Sequence, residues 1–407
     1  MTNIKDKLFY LLPFAIVLVI ILIVVLVPFQ PDGDEIIDDE IDIANGEELI
    51  ETNDDGLNGE YDEIDDEIDD EQLEFVEYIT IGDQLISTSE TELSVVATNE
   101  ELHLLRYMTN LQDLTLQGRH GNRITDISPL SDIQSLEYLT LLTLQIDDVI
   151  PLANLENLVR VSFWNCPIRD ISPLANLPNL VHLSLLGSLV SDITSFYEGF
   201  RSLTVLQLID NNINDISPIL YHDNIQFLEL SGIEIVDVSV FLSLPNLTAL
   251  LLKDAQISDI SDFSYFTNLI SLGLEYNDIS DITPLAELTR LFQLNLRNNK
   301  VSDISIIANL ANMESLVLEG NGISDISPLV ELTNLSFLSL SNNQISDISI
   351  LDGLTNLNTL LLGENQISDI SILTDFRQLR WVDLHNNPID DWSAVDHVDM
   401  VTGRPEE

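Results

Sequence analysis

Few side chains in this sequence are placed to do acid–base or covalent chemistry. The six histidines, at 103, 120, 182, 222, 385 and 397, stand in no metal-ligand spacing. There is no phosphate loop and no nucleophile elbow. The single cysteine, Cys166, excludes a disulfide within the chain. Glu51-Thr52-Asn53-Asp54-Asp55-Gly56, with Asp62 in the twelfth place, has only part of a calcium loop. Such a loop opens on Asp and closes on a bidentate Glu, so a solvated acid run is expected. Thirteen aspartates, Asp126 to Asp391, recur every 22 residues except for one interval of 23 between Asp192 and Asp215. That regularity belongs to a repeat, not to paired catalytic acids. No metal, no cofactor and no enzyme activity are expected. The remaining chemistry is recognition, by apolar and aromatic side chains that follow the same period: Tyr138, Leu142, Trp164, Leu186, Val205, Ile209 and Phe227.

The elements that would hold them are legible in the framework L-x-x-L-x-L-x-x-N-x-I-x-D-I. Leu291, Leu294, Leu296, Asn299 and Asp303 match Leu335, Leu338, Leu340, Asn343 and Asp347 position for position. Thirteen units of about 22 residues indicate a leucine-rich-repeat solenoid, a horseshoe. The L-x-L core is a short strand that turns alternate side chains inward. One strand per unit stacks about 4.8 Å from the next, making a parallel β-sheet on the concave face. The period leaves room for only short 3₁₀ or extended segments on the convex face. Ser-Pro at 128–129, 172–173, 217–218 and 327–328 suits the start of such a turn, with Ser as its cap. The Asn after the strand is expected to satisfy buried backbone groups where the chain turns. Asn122, Asn211, Asn277, Asn299, Asn321, Asn343, Asn365 and Asn387 hold that place. Leu144, Cys166, Ser188, Ile233 and Ala255 replace it in the other units, so Cys166 is read as buried framework.

Outward strand positions build no core and are free for binding. The residue after L-x-L is Leu142, Trp164, Leu186 and Ile209 in four successive units, and Tyr138, Val205 and Phe227 extend the strip. Scattered surface apolars are ordinary, but contiguous ones mark interaction sites. A secondary candidate patch is Phe337, Leu361 and Trp381.

The motif I-x-D-I-x-P-L-x-x-L-x-N is similar to that of the internalin type of bacterial leucine-rich repeat, over about residues 90 to 392. The resemblance implies an extracellular protein that binds surface proteins through its concave sheet. The sequence departs from the best-known members in two ways: it ends soon after the last repeat, without an immunoglobulin-like domain, and it lacks an LPxTG wall-sorting signal. Anchorage is therefore expected at the N-terminus.

There, residues 1–7 read as a cytoplasmic tail and 8–29 as an uncleaved transmembrane signal anchor, long enough as a helix to cross a bilayer. Lys5 and Lys7 before it, and acid after it, predict a single-pass cell-membrane protein with the repeats outside. Residues 30–72 read as a disordered acidic spacer, with 21 Asp and Glu and no base between 32 and 72. Residues 73–110 form the N-terminal cap, 111–391 the repeats, and 392–407 the C-terminal cap and tail. The chain has 407 residues, 15 basic and 69 acidic, for a net charge of −54. That charge excludes nucleic acid as a partner. A protein ligand on the concave face is the expected partner. A cell-wall polymer bound by an envelope scaffold or adhesin is a second reading, and a regulatory repeat protein of the phosphatase-binding kind a third.

Overall fold

The leucine spacing folds as its periodicity demands. In Tyr138–Leu142, Leu139 and Leu141 are fully buried, while Tyr138, Thr140 and Leu142 face the other way. The computed structural model describes residues 76–82, 84–118 and 124–405, which belong to one compact unit, Leu73–Glu407. The apolar run 8–29, the acidic stretch 30–72 and Asn122 lie outside the described residues. Among the described residues, no helix is long and apolar enough to cross a membrane.

Fifteen parallel strands lie in chain order from Glu92–Ala97 to Met400–Thr402. They stack without slippage: Leu272 pairs with Leu294, Leu294 with Leu316, and Leu316 with Leu338. A hairpin, Tyr78–Ile81 with Gln84–Ser87, precedes them. Glu101 ties it down, accepting from Gly82 N at 2.9 Å and from Thr98 N at 2.8 Å. The second bond is half of the capping box that opens the 3₁₀ segment Asn99–Tyr107. At the far end Val395 and Val398 are buried, and Trp392 packs against the same core.

A 3₁₀ turn forms the opposite side of each rung, and its cap corrects the sequence reading. The serine is not the acceptor. Its N–H donates instead to the aspartate two residues earlier, as Ser172 N does to Asp170 Oδ1 at 2.8 Å and Ser327 N to Asp325 Oδ1 at 2.9 Å. The register-marking aspartates are thus the caps. The 23-residue interval is absorbed on this side too. Phe200 takes a left-handed φ of 57° and buries its ring, stacked on Phe196 at 4.4 Å.

The asparagines bond as expected from Asn277 onward. Asn299 Nδ2 donates to the carbonyls of Leu274, Leu296 and Arg297 at 2.8, 3.1 and 3.3 Å. Its Oδ1 accepts from Ile279 N of the previous rung at 3.0 Å. Cys166 fills the same place with a weaker donor, its thiol 3.6 Å from the Leu141 and Trp164 carbonyls. Asn211 makes only the donor half, and its Oδ1 has no partner. The residue before this position is left-handed in twelve consecutive units, Thr143 to Asn386. Gly, Asn and Asp fill it in nine of these units; Thr143, Tyr276 and Glu364 bear the conformation at a cost.

Removing a ladder side chain orphans buried carbonyls and an amide. Asn299→Ala and Asn343→Ala should each lower stability by about 1–3 kcal/mol. Asn211→Ala should cost less, because its acceptor bond is absent. Chemical denaturation of the three variants measures the order.

Candidate binding face

The outward residues of neighbouring strands meet in register. Leu142 pairs with Trp164, Trp164 with Leu186, and Leu186 with Ile209. Four apolar side chains therefore stand on four adjacent strands, as the spacing predicts. Trp164 is 44% exposed, and Leu142, Leu186 and Ile209 are half-buried. Tyr138 is also exposed, its ring centroid 5.9 Å from the Arg160 guanidinium carbon.

Val205 and Phe227 correct the expected strip. Both stand in an outward column, paired with each other and next to His182, yet they are 2% and 4% exposed. At the close spacing of parallel strands, Val205 sits between two larger side chains that cover it. Phe227 in turn stands between Val205 and the small Ala249. These two residues pack the face and do not line an accessible strip.

A polar chain holds this edge. His182 Nε2 meets Gln207 Oε1 at 3.2 Å, Gln207 Nε2 donates to Glu229 Oε2 at 2.8 Å, and the Ser231 hydroxyl lies 3.3 Å from Glu229 Oε1. Burial, with the Arg160 charge nearby, pulls His182 down to about 4, so its ring is neutral near pH 7. Burial also pushes the Glu229 and Glu275 carboxyls up. Further along, Arg297 pairs with Glu319 at 3.0 Å. Lys253 and Arg297 flank the Tyr276 ring at 5.1 and 5.5 Å. Sequence reasoning missed this ionic stretch, although Lys253, Glu275, Arg297 and Glu319 alternate in sign in one outward column.

The secondary patch is looser. Phe337 and Trp381 lie two strands apart with Thr359 between them, and Leu361 stands in the neighbouring column. All three are half-buried. Among the described residues, no three His, Cys, Asp or Glu side chains converge as a metal site. The Cys166 thiol is buried, which raises its pKa away from the reactive thiolate. The chemistry on offer is apolar and aromatic contact beside a fixed ionic border.

The neutral His182 gives the face a pH signature. Its pKa is lower folded than unfolded, so the unfolded chain takes up the proton first as pH falls. Its contribution is intact above about 6.5 and is lost by about 4, at most about 3 kcal/mol. His222, also pulled down by burial, acts in the same direction, and the raised Glu229 and Glu275 act against it. The difference between wild type and His182→Gln isolates the effect. The variant should lose less stability than wild type between pH 6.5 and 4 in denaturant titrations.

The leucine-rich-repeat family described as "Leucine Rich repeats (2 copies)" matches residues 156–198, 289–331, 311–353 and 333–375. An internalin (inlF) from Listeria monocytogenes is 32% identical, over 79% of this chain and 91% of its own, with a TM-score of 0.53. A leucine-rich-repeat protein from Leptospira interrogans shares the fold at 21% identity, over 77% of this chain and 90% of its own, with a TM-score of 0.59. No curated protein matches. The identity to the Listeria internalin and the span of that match decide the assignment: the chain belongs to the internalin-type bacterial leucine-rich-repeat proteins.

Proposed function

We propose that this chain is a surface-displayed recognition module that holds a protein ligand on the outward, concave face of its sheet. The observation that carries the reading is Trp164, a large exposed aromatic flanked in register by Leu142 and Leu186 and continued by Ile209. Contiguous apolar patches on a folded surface mark interaction sites. A central aromatic that a partner can fully desolvate often dominates the binding energy. Tyr138 beside Arg160 adds an amphipathic rim to the strip. Membership of the internalin type supports the choice of face and of a protein as ligand. The run 8–29 serves as a single-pass anchor, with Lys5 and Lys7 keeping the tail inside and the repeats outside.

Two measurements test the reading. Capture from envelope extracts and host-cell lysates on the full chain identifies the ligand. Trp164→Ala should then weaken that ligand's binding by about 2 kcal/mol, roughly 30-fold, with an unchanged melting temperature. Leu361→Ala, in the secondary patch, should leave affinity nearly unchanged. The reverse order of effects would move the site to Phe337, Leu361 and Trp381. For the anchor, protease added to wall-stripped cells should remove the repeats. Full protection would overturn the orientation.

A further inference from the structure

The 3₁₀ side of the solenoid carries a feature unrelated to the sheet. In most units the residues around the end of the turn are small or polar, such as Ala153, Ala175, Ala286 and Ala308. Four consecutive units break that pattern. The turns Thr194–Tyr197, Ser217–Tyr221 and Ser261–Tyr265 end in a tyrosine, and Val238–Ser243 carries Leu242 one residue before its end. None of these side chains is needed by the core. Tyr221 and Tyr265 are 65% and 68% exposed, and Tyr197 and Leu242 are exposed as well. The Tyr197 and Tyr221 rings lie 5.6 Å apart across neighbouring rungs.

Each of the same turns begins on a capping aspartate. Asp192, Asp215, Asp237 and Asp259 accept from the backbone N–H two residues on, at 2.8 to 2.9 Å. Hydrogen bonds to Thr194, Ser217, Ser239 and Ser261 lower all four carboxyls, which therefore stay ionised. A 3₁₀ turn rises about 2 Å per residue, so side chains five or six residues beyond the aspartates stand roughly 10–12 Å from them. Among the described residues, the exposed cation beside the tyrosines is Arg201, which is tied to the Tyr197 and Glu198 carbonyls.

We propose that this face, Tyr197, Tyr221, Leu242 and Tyr265 beside Asp192, Asp215, Asp237 and Asp259, docks an extended lysine- and arginine-bearing polypeptide segment of a partner. Charge complementarity selects the occupant. Cationic side chains pair with the carboxylates, and the partner's basic heads stack over tyrosine faces. Like charge disfavours a second copy of this chain as occupant, since each copy carries a formal net charge of −54. The face is opposite the sheet, so it can be filled while the concave side holds its own ligand.

The test uses the full chain and a fluorescein-labelled (Arg-Ser)4 peptide, read by fluorescence anisotropy at fixed ionic strength. (Glu-Ser)4 and a soluble neutral oligosaccharide serve as competitors. Replacing Tyr197, Tyr221, Leu242 and Tyr265 together by Ser keeps every charge but removes the aromatic column. The expected result is at least tenfold weaker peptide binding in that variant, unchanged binding in Trp164→Ala, and no competition from either competitor. Tyr265→Ser alone, at the most exposed position, should weaken binding measurably and secures the test if the fourfold variant is unstable. Equal affinity of wild type and Tyr265→Ser and of the fourfold variant would overturn the proposal, because binding would then be diffuse attraction to an acidic surface. Displacement by the oligosaccharide would overturn it in favour of a saccharide platform.

Discussion

A chain that turns out of a strand three to six residues long leaves carbonyls pointing into the core, and this solenoid depends on how they are met. The asparagine amide does it best. One side chain donates to carbonyls on two rungs and accepts from a third backbone group, so each rung is completed by the next. The left-handed residue before it turns the chain so that the amide can reach inward. Stacked leucines supply most of the apolar burial, but they are indifferent to small slips. The amide bonds are directional and fix the register of each strand that has one.

Where the amide is missing, the fold makes do with less. Cys166 offers a weak thiol donor, Ser188 has a buried hydroxyl without a partner, and Ile233 and Ala255 supply only bulk. These substitutions fall in the N-terminal half of the repeats, where the apolar outward column also lies. The C-terminal half, from Asn277 on, keeps the asparagine in every unit. The accessible strip therefore rises from the least regular part of the array.

Much of this was legible from one period. The aspartate spacing located the rungs, the leucine alternation gave the inward and outward faces, and the register put Leu142, Trp164, Leu186 and Ile209 side by side. What a column cannot reveal is how neighbouring side chains lie down on one another. Val205 and Phe227 occupy outward positions and are nonetheless covered, because accessibility depends on the sizes of the residues across the strand. The aspartates were visible as markers but not as caps, since that role depends on a bond two residues away. The tyrosines on the 3₁₀ side carry no signature of the repeat, because they stand at positions that vary from unit to unit.

The uneven ladder also has a mechanical meaning. A solenoid pulled at its two ends carries the load in series, one rung interface after another, and each interface is only as stiff as its lateral bonds. From Ala255 to Asn387 every interface has an asparagine clamp. Before it, the interfaces closed by Leu144, Ser188 and Ile233 lack that clamp and keep strand pairing, side-chain contact and single backbone bonds such as Gln145 N to the Ile124 carbonyl at 2.8 Å and Leu189 N to the Ile168 carbonyl at 2.9 Å. The rungs around Trp164 therefore have fewer lateral bonds to resist such a pull than the rungs after Ala255 do.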